Sequence, residues 1–252
     1  MRALSPQRDG AVVFPLDQSA CKNLLLAAVS PNDYHRFHPH LVRVKLDRDL
    51  VLVPADALVE HVYFPEDGVV SIVSDRPGKG RTEIGIFGLE GMSATFLLLG
   101  ATSTPHEAFV QVAGASALRI ETARFVQAVE ESDTLRMMLL RYVNSLIIQV
   151  AQSSVTNAQQ QLEARLARWL LMCHDRIVGD EIAVTHEFMG MMITAHRSGI
   201  TLSLHILEGA GMIRSRRGRV IIQDRSKLRE LAGDGYGMPE AQYCKLIAPF
   251  GK

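Results

Sequence analysis

RSGITLSLHILEGAGMIRSRRGRVIIQD, residues 197–224, decides how this chain is read. It opens as a helical pattern with Ile200, Leu204 and Leu207 on one face, and Gly209 and Gly211 end it. Two short apolar runs follow, MIRS and RVIIQD, joined through Arg-Arg-Gly-Arg as a hairpin. Just upstream, Thr185 is an N-cap for a helix over HEFMGMMI, and the pattern breaks at residues 194–196. Two short helices, a tight turn and a β-ribbon predict a winged helix-turn-helix. Such a unit lays its second helix in the DNA major groove, N-terminal residues first. The outer face of that helix carries Arg197, Ser198, Thr201, Leu202 and His205. Arg214, Arg216, Arg217 and Arg219 of the wing can neutralise flanking phosphates.

The charge pattern points the same way. The 252 residues hold 27 Lys plus Arg and 27 Asp plus Glu, so the overall balance names no partner. From His196 to Arg229, eight basic residues (Arg197, Arg214, Arg216, Arg217, Arg219, Arg225, Lys227, Arg229) face only Glu208 and Asp224. A basic segment in a neutral chain is an asymmetry that nucleic-acid binders show, although a solvated surface can show it too.

Upstream, the periodicity divides the chain. Residues 22–42 carry short helical patterns, KNLLLAAVS and PNDYHRFHPHL. From about 43 to 120, runs such as VRVKLDRDLVLVP, HVYFPEDGVVSIVSD, RTEIGIFGLEG and HEAFVQVAGASALRIE read as antiparallel strands of a sandwich or barrel, with DRPGKG (75–80) as a hairpin turn. Ser132 and Asp133 then offer an N-cap, and no glycine or proline interrupts Thr134 to Ile177. Leu135, Leu139, Tyr142, Leu146 and Val150 recur at 4-3-4-4 spacing, close to a coiled-coil seam, and predict a dimer interface. Met138, Val143 and Ile147 add a second apolar face. A further helix, LEARLARWLLMCHDRI, stops at Gly179, with Trp169 and Cys173 as core residues. Met137, Met138, Met189, Met191 and Met192 read as core packing. The tail GDGYGMPEAQYCKLIAPFGK reads as loosely held.

Other classes are disfavoured. Cys21, Cys173 and Cys244 lie too far apart in sequence for a disulfide framework or a CxxC site. No run approaches 18 apolar residues and MRALSPQRDG lacks a signal core, so a cytoplasmic protein without membrane partners is expected. His35, His38 and His40 cluster with Asp33 nearby, but a metal site needs convergent geometry, and no metal is expected. A cupin-like enzyme needs several strand histidines; residues 43–120 hold only His61 and His106. No enzyme is expected.

With HVYFPEDGVVSIV and GLEGM in a roll, a long helix, LARWLLMCHDR, and then HEFMGMMITAHRSGITLSLHILEGAGMI with its wing, the chain resembles the Crp/Fnr family of bacterial transcription regulators over about residues 25–230. The resemblance implies an α+β fold. It would comprise an N-terminal antiparallel β-roll of the cyclic-nucleotide-binding-like jelly-roll type (1–131), a dimerisation helix (132–160), a C-terminal winged helix-turn-helix (161–232) and a tail (233–252). It also implies a homodimer on a palindromic double-stranded DNA operator, half-sites roughly 34 Å apart, with RNA polymerase a candidate further partner. Arg197 falls on the family's guanine-reading arginine. Ser198 and Leu202 replace a common glutamate and a second arginine, and Thr194 stands where a turn glycine is usual, so the operator should differ from that of the catabolite activator.

Members that bind cyclic AMP share Gly-Glu, a loop, then Arg-Ser or Arg-Thr, and a Thr-Ser pair on the long helix. Here Gly91 is followed by Met92, the arginine position reads Pro105-His106-Glu107, and the pair aligns with Val150–Ala151. Glu107 would repel a cyclic phosphate, so control by cyclic AMP is not expected. The N-terminal cysteine cluster of the oxygen-sensing members is absent, leaving only Cys21 there, so no cofactor is predicted. Two readings stay open for the roll: a closed support, or a pocket for another small-molecule effector around Gly85, Gly88, Gly91, Met92, His106 and Glu107. The competing function is a ligand-binding adaptor whose helix-turn-helix has become a protein interface; the wing arginines argue against it.

Overall fold

The structure, a computed structural model, describes residues 17–76 and 80–252. Two short helices, α1 (Leu24–Ala28) and α2 (Pro31–Phe37), precede the strands. Asn23 caps α1 by accepting from the Leu26 N–H at 3.0 Å, and its amide donates to the carbonyls of Pro65 and Gly91, which pins the helix to the roll. Ser30 caps α2, with Pro31 at its first position.

Seven strands follow: β1 (Val42–Leu46), β2 (Val51–Val53), β3 (His61–Pro65), β4 (Val69–Arg76), β5 (Gly80–Phe87), β6 (Glu107–Val112) and β7 (Gly114–Glu121). They pair antiparallel in two sheets, β1-β7-β3 and β2-β6-β4-β5. Leu46, Val62, Phe64, Val70, Phe87, Val110 and Leu118 meet between the sheets, as alternation of apolar residues along each strand requires. Arg76 pairs with Gly80 across the hairpin anticipated at 75–80; residues 77–79 of that turn lie outside the described residues.

Helix α3 (Thr122–Glu130) leads into α4 (Asp133–Gln159), capped by Ser132 through the Leu135 N–H. The orientation of α4 corrects the predicted seam. Leu135, Leu139 and Tyr142 are buried in the roll's own core, and Leu146 and Val150 are half-buried toward it. The exposed face is instead Met137 (53% exposed), Asn144, Ile147 (59%), Ala151, Ser154 and Val155. Apolar periodicity reports that a face is buried, not what buries it. Met137 is accordingly a surface residue rather than a core one.

The C-terminal half contains α5 (Leu162–His174), β8 (Glu181–Ile182), α6 (His186–Met192), α7 (Arg197–Gly209), β9 (Ile213–Arg216), β10 (Arg219–Ile222), α8 (Arg225–Ala232) and α9 (Met238–Leu246). Its core joins Trp169, Cys173, Met189, Ile200, Leu204, Leu207, Val220 and Leu228 to Val69, Ile86 and Phe109 of the roll. The two halves therefore share one apolar cluster. The tail is not loose. Pro239 sits in the first turn of α9, Glu240 accepts from the Gly237 N–H at 3.0 Å, and α9 packs on α4. Tyr243 is buried and donates its hydroxyl to the Glu90 carbonyl at 2.7 Å. Phe250 lies against the Arg176 guanidinium, 5.1 Å from ring centroid to Cζ. Glycine and proline fix only the turns; the aromatic residues between them supply apolar area worth burying. Among the described residues, no helix is long and apolar enough to cross a membrane.

Candidate nucleic-acid interface and the cavity behind it

Thr185 starts α6 by accepting from the Phe188 N–H at 3.2 Å. The turn between α6 and α7 is tight. The Ala195 N–H donates to the Gly190 carbonyl at 2.8 Å, and a Cβ on Gly190 would stand 2.7 Å from the Ala195 carbonyl oxygen, so only glycine fits. Thr194 takes φ 52°, the left-handed conformation that glycine adopts without strain. Ile200, Leu204 and Leu207 bury one face of α7, and Ser203 fixes it to α5 by donating to Glu163 at 2.9 Å.

The opposite face presents Arg197, Ser198, His205 and Leu202, the last 61% exposed. Thr201 is half-buried; its hydroxyl donates to the Arg197 carbonyl at 3.0 Å and lies 3.2 Å from His186 Nδ1, so it is already engaged. The sequence pattern does not single out Ile206, which is 49% exposed one turn beyond Leu202; the four-residue spacing is the signal that could have found it. Burial and the positive charges of Arg197 and His205 hold the His186 pKa below its ordinary value.

In the wing, β9 and β10 are joined by Arg217 and Gly218, with Gly218 at φ +75°. Arg214, Arg216 and Arg217 are exposed, whereas Arg219 is paired with Glu181 at 3.2 Å. Three of the four wing arginines are thus exposed outside any ion pair, Arg216 donating only to the Ser215 carbonyl, and the outer face of α7 is exposed as well.

Behind this half, a cavity of about 280 Å³ lies between the roll and α4. Ile72, Phe87, Phe96, Leu146, Ile147 and Val150 supply much of its wall, and Met92, Thr95, Thr104, His106 and Ala108 also line it. No aspartate, glutamate, lysine or arginine is among the lining residues. Of the six residues read as an effector pocket, Met92 and His106 line this space. The other four do not. Gly85 and Gly88 are covered by Val150 and by Arg176, and a Cβ on Gly91 would fall 2.1 Å from the Tyr142 hydroxyl. Gly85 and Gly91 let α4 approach the roll, and Gly88 makes room for the Arg176 side chain. Glu107 turns to Arg81, 3.1 Å away. Leu146 and Val150, read as seam, are walls of the cavity.

Residues 164–231 match the family model of the Crp-like helix-turn-helix domain. They form a Crp-like helix-turn-helix domain. About three quarters of the chain shares its fold with solved Crp/Fnr-family structures. It superimposes on a CRP-family transcriptional regulator from Thermus thermophilus with TM-score 0.63 at 18% identity, over 76% of this chain and 97% of that one. FixK2 from Bradyrhizobium japonicum gives TM-score 0.64 at 16% identity, over 77% and 98%. The c-di-GMP-responsive global regulator CLP from Xanthomonas campestris gives 0.60 at 15%, over 77% and 99%. No curated protein matches the chain by sequence.

The Crp-like domain is fastened to the roll by polar contacts as well as by apolar packing. Trp169 Nε1 donates to Glu83 Oε1 at 2.9 Å, and Ser71 Oγ lies 2.7 Å from Glu83 Oε2 and 2.5 Å from Gln111 Oε1. Burial pushes the Glu83 pKa up to about 7, against the hydrogen bonds from Ser71 and Trp169 and the charges of Arg168 and Arg176. Arg176 donates from Nε to Glu90 at 2.9 Å, both side chains buried, and its carbonyl accepts from the Gly68 N–H at 3.0 Å. Asp175 gathers Arg225 and the Tyr236 hydroxyl at 2.5 and 2.6 Å.

Proposed function

We propose that the protein is a homodimeric, sequence-specific DNA-binding transcription regulator that acts without cyclic AMP. The observation that carries this is the outward face of α7, headed by Arg197 and flanked by Arg214, Arg216 and Arg217, within a Crp-like helix-turn-helix domain. Arginine at the N-terminus of the inserted helix suits guanine, whose O6 and N7 accept its two parallel N–H groups. The wing arginines add sequence-independent phosphate affinity.

Dimerisation is supported by the exposed stripe of α4. Met137, Asn144 and Ala151 recur every seven residues, and Ile147 and Ser154 follow the second and third of them by three. Asn144 is the kind of polar seam residue that fixes register. Independence from cyclic AMP is supported by the lining of the cavity, which offers a phosphate no arginine or lysine.

Selection from random duplex DNA with the purified protein and no added ligand tests the reading. The expected product is a palindrome whose half-sites lie about one helical turn apart. Arg197→Ala should relax the preference at one guanine in each half-site, by about 1–3 kcal/mol of discrimination. Failure to enrich any site, with or without added cell extract, overturns sequence-specific binding.

A further inference from the structure

The outer face of α7 carries more apolar surface than its packing requires. Ile200, Leu204 and Leu207 already fill the core beneath the helix. Leu202, 61% exposed, and Ile206, 49% exposed, stand on the opposite side one turn apart, and with Ser198 they form a single ridge at four-residue spacing. Exposed apolar side chains scattered singly are ordinary on a protein surface. Two large aliphatic side chains adjoining on the side of α7 that faces away from the core contribute nothing to the fold.

The surroundings of the ridge select its occupant. Arg197 and His205 are exposed beside it, and Arg214, Arg216 and Arg217 are exposed on the wing. The acidic residue of α7, Glu208, is turned to the wing, where its Oε1 accepts from the Ser215 N–H at 3.1 Å. Glu181 of β8 pairs with Arg219 at 3.2 Å. An apolar ridge flanked by cations fits a partner that is anionic at its edges and apolar at its centre. The major groove of duplex DNA has that character, with phosphates along both edges and the C5 methyl of thymine as the apolar group on its floor.

We propose that Leu202, backed by Ile206, reads the C5 methyl of a thymine in each half-site. This role rests on the reading of the chain as a sequence-specific DNA binder, and adds a second base to the guanine assigned to Arg197. Helical rise places that base. Leu202 lies five residues beyond Arg197, about 7.5 Å along α7 at 1.5 Å per residue. Stacked base pairs are about 3.4 Å apart, so the thymine stands about two base pairs from the guanine, on either strand. Covering one methyl group with apolar side chains is worth about fourfold in affinity.

The test uses the full-length protein and the operator that selection from random duplex DNA provides. Each thymine is replaced in both half-sites by deoxyuridine, which keeps every hydrogen-bonding atom and lacks only the methyl. Affinity is measured by fluorescence anisotropy at fixed salt. One thymine should show a loss of about fourfold per half-site, and Leu202→Ala should bind the thymine and deoxyuridine duplexes equally. With cytosine at that position, 5-methylcytosine should restore about fourfold per half-site to wild type and nothing to Leu202→Ala. Leu202→Ala should also keep the wild-type salt slope, because no phosphate contact is removed. The side chain is exposed, so its truncation leaves the core intact. A half-site without thymine, equal affinity of wild type for the two duplexes at every position, or a difference that persists in Leu202→Ala overturns the role of Leu202 while sequence-specific binding stands. Failure to enrich any site overturns both, and makes the ridge a surface for a protein partner.

Discussion

Replacing Glu83 by glutamine should remove a large part of the pH dependence of stability. The Ser71 hydroxyl has one proton but lies between two acceptors, Glu83 Oε2 at 2.7 Å and Gln111 Oε1 at 2.5 Å. If Glu83 is protonated, it donates to Ser71, Ser71 donates to Gln111, and Glu83 Oε1 still accepts from Trp169 at 2.9 Å. This agrees with a pKa pushed by burial to about 7 from an ordinary 4.5, while Arg168 and Arg176 pull the other way. The native state then holds a proton that the unfolded chain has released between these two values, so stability falls as pH rises through the interval and levels off above about 7. At about 1.36 kcal/mol per unit the full loss is about 3 kcal/mol. The residue keeps some solvent contact, and screening lowers this to about 2 kcal/mol. Glu83→Gln mimics the protonated acid, with its amide N–H donating to Ser71. Urea unfolding at intervals from pH 5 to 8.5 should show wild type losing about 2 kcal/mol relative to Glu83→Gln. Titrations common to both proteins cancel in that difference. Parallel profiles would refute the proton count and mean that the carboxylate is ionised in the folded protein.

Four further expectations concern single elements. Thr194→Gly should raise stability by about 1 kcal/mol, because a β-branched residue at φ 52° is strained; a loss in urea unfolding would contradict the left-handed turn. Arg216→Ala or Arg217→Ala should weaken binding to all DNA sequences alike and reduce the log–log salt slope by roughly one unit per lost phosphate contact; an unaltered slope removes the clamp. Ile147→Asp should leave a folded monomer in sedimentation, whereas Leu139→Asp, fully buried in the roll, should lose the fold as well; a folded dimer carrying Ile147→Asp places the interface elsewhere. Tyr243→Ala should cost about 3–5 kcal/mol by emptying a core position, and a change below 1 kcal/mol in chemical unfolding would show that the tail is peripheral.

The helix-turn-helix and wing were legible because their signals are local. Thr185, Gly209, Gly211 and Gly218 mark ends and turns by backbone chemistry, and the arginines face outward because nothing apolar holds them. The strands were legible from their alternation. What escaped was long-range. Leu135, Leu139 and Tyr142 have the spacing of a seam, but a helix laid on a sheet shows the same period. The tail was misread because its turn residues are local signals while the groove that receives Tyr243 and Phe250 is built by Glu90 and Arg176, more than 60 residues away. Of the pocket glycines, Gly91 marks a close approach, and sequence does not say whether a ligand or Tyr142 makes it. Glu83, Ser71 and Trp169 lie in three separate runs, and nothing local in any of them signals that they meet.

The stapling of the Crp-like domain to the roll by α9, Arg176 and Trp169 has a geometric consequence for the proposed operator. To pivot at the joint after Gln159, the domain would have to withdraw Tyr243 from the roll and part Arg176 from Glu90. In the proposed dimer, two recognition helices so held would form a ruler of fixed length and fixed phase. One base pair inserted between half-sites turns the second through about 35° and moves it about 3.4 Å along the axis. A domain on a free tether would follow; this one would lose half of its contacts.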